Sequence, residues 1–337
     1  MAINSFGIDI GTNNIKIYNR HTDDYFMEKN MIAIEGKNRM FAYGDSAFEM
    51  YEKAPENIQV SYPLNYGVIA QIENMQTLIR YFIQDICKGN IKPADYYIAV
   101  PTDITDVEKR AFYELIKNAN VKAKKVYVVE KSAADALGMD IDVKHSQGVF
   151  VVDVGFETTE ISILSMGGIV ASRLVKIGGQ SFDESIKNAV RKEHNLHIGS
   201  KTAEKIKYSV KEMLSQGKNA IIYGRDIVTG LPSEQAIGQE LVYHCLHEQL
   251  TDIAYYVKQI LERTPPELGA DIYHNGIYLT GGGSQIPFLS DIITETTGLK
   301  VKVNPEPMAT VVKGLATIIR NDKYSSLAYT IEGVGRL

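Results

Sequence analysis

The sequence of 337 residues has no tryptophan, only two cysteines and no apolar run long enough to cross a bilayer. A spanning helix needs roughly 18 or more consecutive apolar residues, so no transmembrane segment is expected. Cys87 and Cys245 lie far apart, which excludes a disulfide framework and fits two structural thiols in a reducing, cytoplasmic compartment. Before Phe6-Gly7-Ile8-Asp9-Ile10-Gly11 there is neither a basic start nor a long apolar stretch, so no signal peptide is expected. An excess of positive charge is missing too: 36 Lys and Arg against 41 Asp and Glu give −5. That balance argues against a nucleic-acid partner held by phosphate neutralisation.

What is present is globular. Apolar residues make up 45% and charged residues 23%, and 20 Tyr with 10 Phe can supply a core without Trp. The length predicts about two domains of roughly 150 residues. Strand-like and helix-like segments alternate throughout. Residues 6–10 and 15–18 read as strands around a Gly-Thr-Asn-Asn turn, and 30–34 and 39–42 as further strands. Helical spacing of Leu78, Ile79, Phe82 and Ile83 predicts a helix over 75–85. Residues 96–100 and 126–129 read as strands, with helices expected over 103–118 and 132–137. A long amphipathic helix is expected over 239–262, and a strand over 276–280.

One pattern recurs. Gly7-Ile8-Asp9-Ile10-Gly11 ends a strand in Asp-x-Gly, and Val152-Asp153-Val154-Gly155 does so 144 residues after the first. This predicts two related α/β halves. In the first turn, Gly11 permits a tight bend, Thr12, Asn13 and Asn14 add donors, and Lys16 can point back at the same phosphates. The second, Gly155-Phe156-Glu157-Thr158-Thr159, again follows a carboxylate with glycine and hydroxyls. Asp9 and Asp153 are candidates to hold Mg²⁺ through water. A third element, Thr280-Gly281-Gly282-Gly283-Ser284, lets backbone approach a nucleotide before an expected helix. Each turn alone also fits a plain loop; the three together point to a nucleotide.

These residues resemble the actin superfamily of ATPases and, within it, the MreB-like family. Tyr62-Pro-Leu-Asn-Tyr-Gly67-Val-Ile-Ala-Gln, Ala99-Val-Pro101-Thr-Asp-Ile-Thr105-Asp-Val-Glu108 and Ile177-Gly178-Gly179-Gln-Ser-Phe-Asp183 carry the likeness. So do Thr202-Ala203-Glu204-Lys205-Ile206-Lys207, Gly224-Arg225-Asp226-Ile-Val-Thr229-Gly230-Leu231-Pro232 and Thr264-Pro265-Pro266-Glu267-Leu268. The resemblance implies an α/β actin-like ATPase fold, two related halves around a nucleotide cleft. The halves are expected at 1–140 (insert about 30–64) and 141–309 (insert about 183–232), with 310–337 returning to the first half.

It also implies ATP or ADP with Mg²⁺, self-assembly into filaments, and a role in cell shape through cell-wall synthesis proteins at the membrane. Glu204, Lys205, Ile206 and Lys207 would meet the nucleoside, and Gly281, Gly282, Gly283 and Ser284 would lie under adenine and the α-phosphate.

Three departures bear on catalysis. Lys131 stands where the family carries its catalytic Glu, and a charged lysine cannot accept a proton from water. Glu130 and Asp135 are the nearby acids, with Thr158 near the expected water. Glu157 replaces a glycine beside the phosphates, and Lys16 replaces an apolar residue. The expected function is therefore an ATP-binding filament protein. The alternative is a non-hydrolysing paralogue that co-assembles with an active one; a small-molecule kinase of the same superfamily is a third class. Membrane contact is implied at the inner face, yet no anchor is evident. The loop Cys87-Lys-Gly-Asn-Ile91-Lys92-Pro93 offers one Ile and two Lys. His244 and His247 read as a helix face rather than a metal site, and residues 122–125 as a solvated lysine turn.

Overall fold

A computed structural model describes residues 4–36 and 39–331. The first three residues of the expected N-terminus and residues 332–337 of the tail lie outside it. The chain divides into two units. Among the described residues, the first runs up to Gln147 and adds Leu164–Leu174 and the segment from Met308 to Ile331; the second holds Gly148–Ile163 and Val175–Pro307.

The first unit is built on a six-stranded sheet in the order Ala328–Tyr329, Ala123–Glu130, Ala94–Val100, Ser5–Ile10, Asn14–Asn19, Asp24–Lys29. The three central strands are parallel and the hairpins beside them antiparallel. Ala94–Val100 is almost wholly buried, as a central strand covered on both faces must be. Helix Ile72–Ile86 lays Met75, Leu78, Ile79, Phe82 and Ile83 on the core. Helix Asp106–Asn118 starts at a capping box: Glu108 N–H donates to Thr105 Oγ1 at 3.3 Å, and Thr105 N–H to Glu108 Oε2 at 2.8 Å. Phe6, Phe82, Tyr96 and Phe112 are among the largest fully buried side chains of this core.

Helices Lys131–Gly138 and Thr310–Arg320 pack against each other through small residues. A Cβ at Gly138 would collide with the carbonyl of Thr310, and one at Gly314 with that of Ala134. This brings two backbones together and fixes where Lys131 emerges.

In the second unit Thr159–Ser165, Val149–Val154, Ile277–Thr280 and Val301–Val303 lie side by side in that order. The last three are parallel. Helices Gly179–His194, Ser200–Gln216, Gln239–Glu262 and Pro287–Thr297 belong to this unit, as does a small sheet of Leu196–His197, Ala220–Asp226 and Pro232–Ile237.

Several expectations shift for local reasons. The strand expected from residue 30 is Ile32–Glu35, because Asn30 spends its N–H on Asn13 O (2.9 Å) and its side-chain amide on Gly11 O (3.0 Å). Gly276 drops out of the strand Ile277–Thr280, its φ of +80° being left-handed. The helix expected over 75–85 extends to Ile72–Ile86.

Candidate functional site

The two Asp-x-Gly segments form the same turn. Gly11 N–H donates to Asn14 O at 3.1 Å, and Gly155 N–H donates to Thr158 O at 2.8 Å. In each, a buried aspartate precedes the glycine by two residues: Asp9 is 4% exposed and Asp153 is 4% exposed. A strand ending in a buried carboxylate and then reversing through three residues leaves little room at the bend. A Cβ on Gly11 would press on Asn14 O.

In the first unit the turn is braced from outside. Asn13 Oδ1 accepts from Lys29 Nζ at 3.1 Å and from Tyr62 OH at 3.4 Å. Asn30 ties off Gly11 O and Asn13 O. Thr12 is buried. Lys16 faces Asp9 directly in the strand register, with Nζ 2.9 Å from Oδ2 and both side chains largely buried. The aspartate therefore carries an internal cation.

Glu130 ends its strand and precedes helix Lys131–Gly138. Its Oε1 accepts from Lys109 Nζ at 2.7 Å and from Tyr329 OH at 2.8 Å. Its Oε2 is buried with no hydrogen-bond partner among the described residues. Glu130 is thus spent on tying the strand Ala328–Tyr329 to its neighbour. Asp135 is buried within the helix, 1% exposed. Lys131 opens the helix and is partly exposed.

In the second unit strand pairing joins two predicted elements. Asp153 lies opposite Thr280, so the second turn meets the glycine run side by side. Gly281, at φ +81°, has no room for a Cβ against Asp153 and Val154, and Gly283 packs on Val154. Ser284 turns its hydroxyl onto Gly281 O at 2.7 Å and so closes its own bend. The carbonyls of Gly155 and Phe156 accept from Gly179 N–H (3.0 Å) and Gln180 N–H (2.6 Å), the first amides of helix Gly179–His194. Glu157 is buried and Thr158 partly exposed.

Helix Ser200–Gln216 places the four predicted nucleoside residues differently. Ile206 is core and Lys205 is exposed, while Glu204 is partly exposed. Lys207 is buried, with Nζ 2.7 Å from Asp183 Oδ1 and donating to Gly179 O at 3.0 Å. Burial pushes the Asp183 carboxyl up to about 6, even though the Lys207 charge pulls it down. Lys207, Gly282 and Ser284 line a cavity of about 620 Å³, together with Tyr208, Lys211, Gln285 and Asn304. That volume suits a nucleoside-sized ligand. Tyr208 and Lys211 escaped sequence reasoning, although Lys211 follows Lys207 by one helical turn. Asn30, Lys29 and Tyr62 left no local signal.

Among the described residues no group of three or more His, Cys, Asp or Glu is placed to hold a metal ion.

Known proteins resemble this chain in sequence and in fold. The MreB/Mbl protein family model matches residues 3–326. The cell shape-determining protein Mbl of Bacillus subtilis is 34% identical over 325 residues, covering 95% of this chain and 97% of that one. The cell shape-determining protein MreB of Escherichia coli is 33% identical over 323 residues, 93% of this chain and 92% of that one. The crystal structure of Spiroplasma citri MreB5 bound to AMPPNP superposes with a TM-score of 0.89 at 31% identity, covering 97% and 98% of the two chains. The MamK double helical filament shares the fold, with a TM-score of 0.78 at 20% identity, covering 94% and 99%. On its residues and on its fold, the chain belongs to the MreB/Mbl family of bacterial actin homologues.

Proposed function

We propose that the chain binds ATP and ADP with Mg²⁺ and assembles into filaments that help determine cell shape by organising cell-wall synthesis. The carrying observation is the repeated turn, Gly11 to Asn14 and Gly155 to Thr158, each set behind a buried aspartate. Such turns present backbone amides to phosphate oxygens. The cavity beside Lys207, Tyr208 and Gly282 supplies a place for the nucleoside. The relative Spiroplasma citri MreB5 has been crystallised with AMPPNP and with ADP, which supports the same ligand class here.

In this reading the amides of Thr12, Asn13 and Asn14 and of Phe156, Glu157 and Thr158 bind phosphates. Lys16 adds a positive charge beside them. Asp9 in the first unit and Asp153 in the second are the carboxylates that would serve Mg²⁺, which would supply positive charge against the phosphates. Self-assembly is the main partnership, with wall-synthesis membrane proteins or a paralogue as further partners. The site is cytoplasmic, at the inner face of the membrane; no helix among the described residues is long and apolar enough to span it.

A second reading is favoured by one observation. Lys131 occupies the position expected for the catalytic acid, and the adjacent Glu130 is engaged by Lys109 and Tyr329. Neither side chain is then poised to orient water, which describes a nucleotide-binding filament subunit with little or no hydrolysis. ATP turnover measured alongside sedimentation separates the readings. Assembly with steady phosphate release supports the first, assembly without release the second, and turnover of a small acceptor without assembly overturns both.

A further inference from the structure

Gly155 and Phe156, at the bend of the second turn, spend their carbonyls on one helix. Gly155 O accepts from Gly179 N–H at 3.0 Å and Phe156 O from Gln180 N–H at 2.6 Å, the first two amides of helix Gly179–His194. A trans peptide holds its C=O and the following N–H antiparallel. Anchoring these two carbonyls therefore aims the N–H groups of Phe156 and Glu157 away from the helix. Those are two of the amides that bind phosphate in the nucleotide reading. Glycine at 178 permits the close approach: a Cβ there would lie 2.8 Å from Phe156 O and 2.9 Å from Gly155 O.

The start of the helix is held in turn by a buried ion pair. Lys207 Nζ donates to Gly179 O at 3.0 Å and lies 2.7 Å from Asp183 Oδ1, the two side chains being 5% and 6% exposed. Gly179 is thus gripped twice, its N–H by the turn and its C=O by the ammonium. Lys207 also lines the cavity beside Tyr208, whereas Asp183 does not. Stability alone does not call for this pair. Taking two charges out of water is costly, and apolar residues of similar volume commonly serve as well or better. A plain staple between helices Gly179–His194 and Ser200–Gln216 needs to reach neither the cavity nor the turn; this one reaches both.

We propose that Asp183 is a positioning residue for nucleotide binding, acting through Lys207 and Gly179 to set the phosphate-binding amides of the second turn and to couple them to the nucleoside cavity; this rests on the nucleotide reading. A nucleoside in the cavity restrains Lys207, Lys207 holds Gly179, and Gly179 holds the turn. Part of the cost of ordering the turn is then met before phosphate arrives. Linkage makes the effect reciprocal, so either subsite raises the affinity of the other by the same factor.

The test is isothermal titration of the full chain with adenosine, with magnesium pyrophosphate, and with each in the presence of the other. Adenosine should tighten pyrophosphate binding about 10-fold, within the usual range for coupled sites. In Asp183→Ala the factor should fall below about twofold, and in Asp183→Asn, which keeps an acceptor for the ammonium, it should stay above about threefold. Asp183→Leu with Lys207→Met replaces the pair by apolar side chains, is expected to keep the fold, and should also lose the coupling. Ile253→Val, in the core of helix Gln239–Glu262, lowers stability without touching the pair and should leave the factor unchanged. Hydrogen exchange gives a second readout: adenosine alone should slow the amides of Gly179 and Gln180 in the unaltered chain and not in Asp183→Ala. Circular dichroism confirms that the variants fold. Full coupling in Asp183→Ala or in the double variant, equal loss in Ile253→Val, or no coupling in the unaltered chain would overturn the proposal while ATP still binds. If ATP, adenosine and pyrophosphate all fail to bind, the nucleotide reading is refuted and the proposal falls with it.

Discussion

Lys16 Nζ lies 2.9 Å from Asp9 Oδ2, the two residues facing each other across the hairpin that makes the first turn. Both side chains are nearly buried, at 12% and 5% exposure. A charge-assisted bond in that setting fixes the ammonium beside the turn instead of leaving it to solvent. The ammonium also offsets the negative charge that Asp9 would otherwise present to a cation.

Lys16→Met should therefore weaken ATP binding by about 10-fold, the loss of one charge-assisted contact, and sharpen its dependence on Mg²⁺. Breaking the pair also leaves a buried carboxylate unpaired, which costs stability. Lys16→Met with Asp9→Asn removes both charges and separates the effects. Isothermal titration with and without EDTA reads the nucleotide term, and urea unfolding reads the stability term. Unchanged affinity in Lys16→Met would assign the lysine a purely structural role.

Lys131 and Glu157 make the sharpest catalytic prediction. Lys131→Glu, combined with Phe156→Gly and Glu157→Gly, restores the acid and the bare turn that the family pattern places there. Positioned general bases contribute roughly 10²–10⁴ in rate. Phosphate release by this variant should rise at least 10-fold over the unaltered chain. No increase would mean that the departure at residue 131 is not what limits turnover.

Asp183 gives a pH dependence with a definite sign. Its carboxyl is raised to about 6 by burial, with Lys207 opposing. A carboxyl raised in the folded state holds its proton more tightly there than in the unfolded chain. Its contribution to stability is full below about 4 and is lost as the pH rises through about 6. The Tm of the unaltered chain minus that of Asp183→Asn should therefore fall between pH 4 and pH 7. A rise over that range would show that Lys207 outweighs burial and keeps Asp183 ionised.

The site's legibility in the sequence follows the range of the interactions involved. Asp9 with Gly11 and Asp153 with Gly155 were readable because a strand, a carboxylate and a three-residue bend are all local. So was the helix Gln239–Glu262, whose apolar stripe keeps its period. The bracing of Asn13 by Lys29 and Tyr62 was not, since it joins residues 16 and 49 positions apart. Nor was the engagement of Glu130, whose Oε1 accepts from Tyr329 OH, 199 residues away. Residues 122–125 read as a solvated turn because nothing local shows that a strand begins at Ala123 and pairs with Ala94–Val100. Helix Thr310–Arg320 was legible too: Val311, Val312, Leu315, Ala316, Ile318 and Ile319 are buried, while Lys313, Thr317 and Arg320 recur at helical spacing on a contrasting, more exposed face.

The same helix carries the last prediction. Gly314 faces the carbonyl of Ala134, and Gly138 faces that of Thr310. Alanine is favoured over glycine inside a helix by about 1 kcal/mol, so helix propensity alone predicts that Gly314→Ala stabilises. The contact predicts the reverse. An added methyl meets backbone rather than a flexible side-chain end, and overpacking of that kind costs roughly 1–3 kcal/mol. The net result should be destabilisation, seen as a lower urea midpoint at an unchanged m-value. Because Lys131 begins the helix that must move aside, nucleotide affinity should fall in the same variant. A higher urea midpoint would mean that the two helices slide apart without loss and that their close approach does not set the position of Lys131.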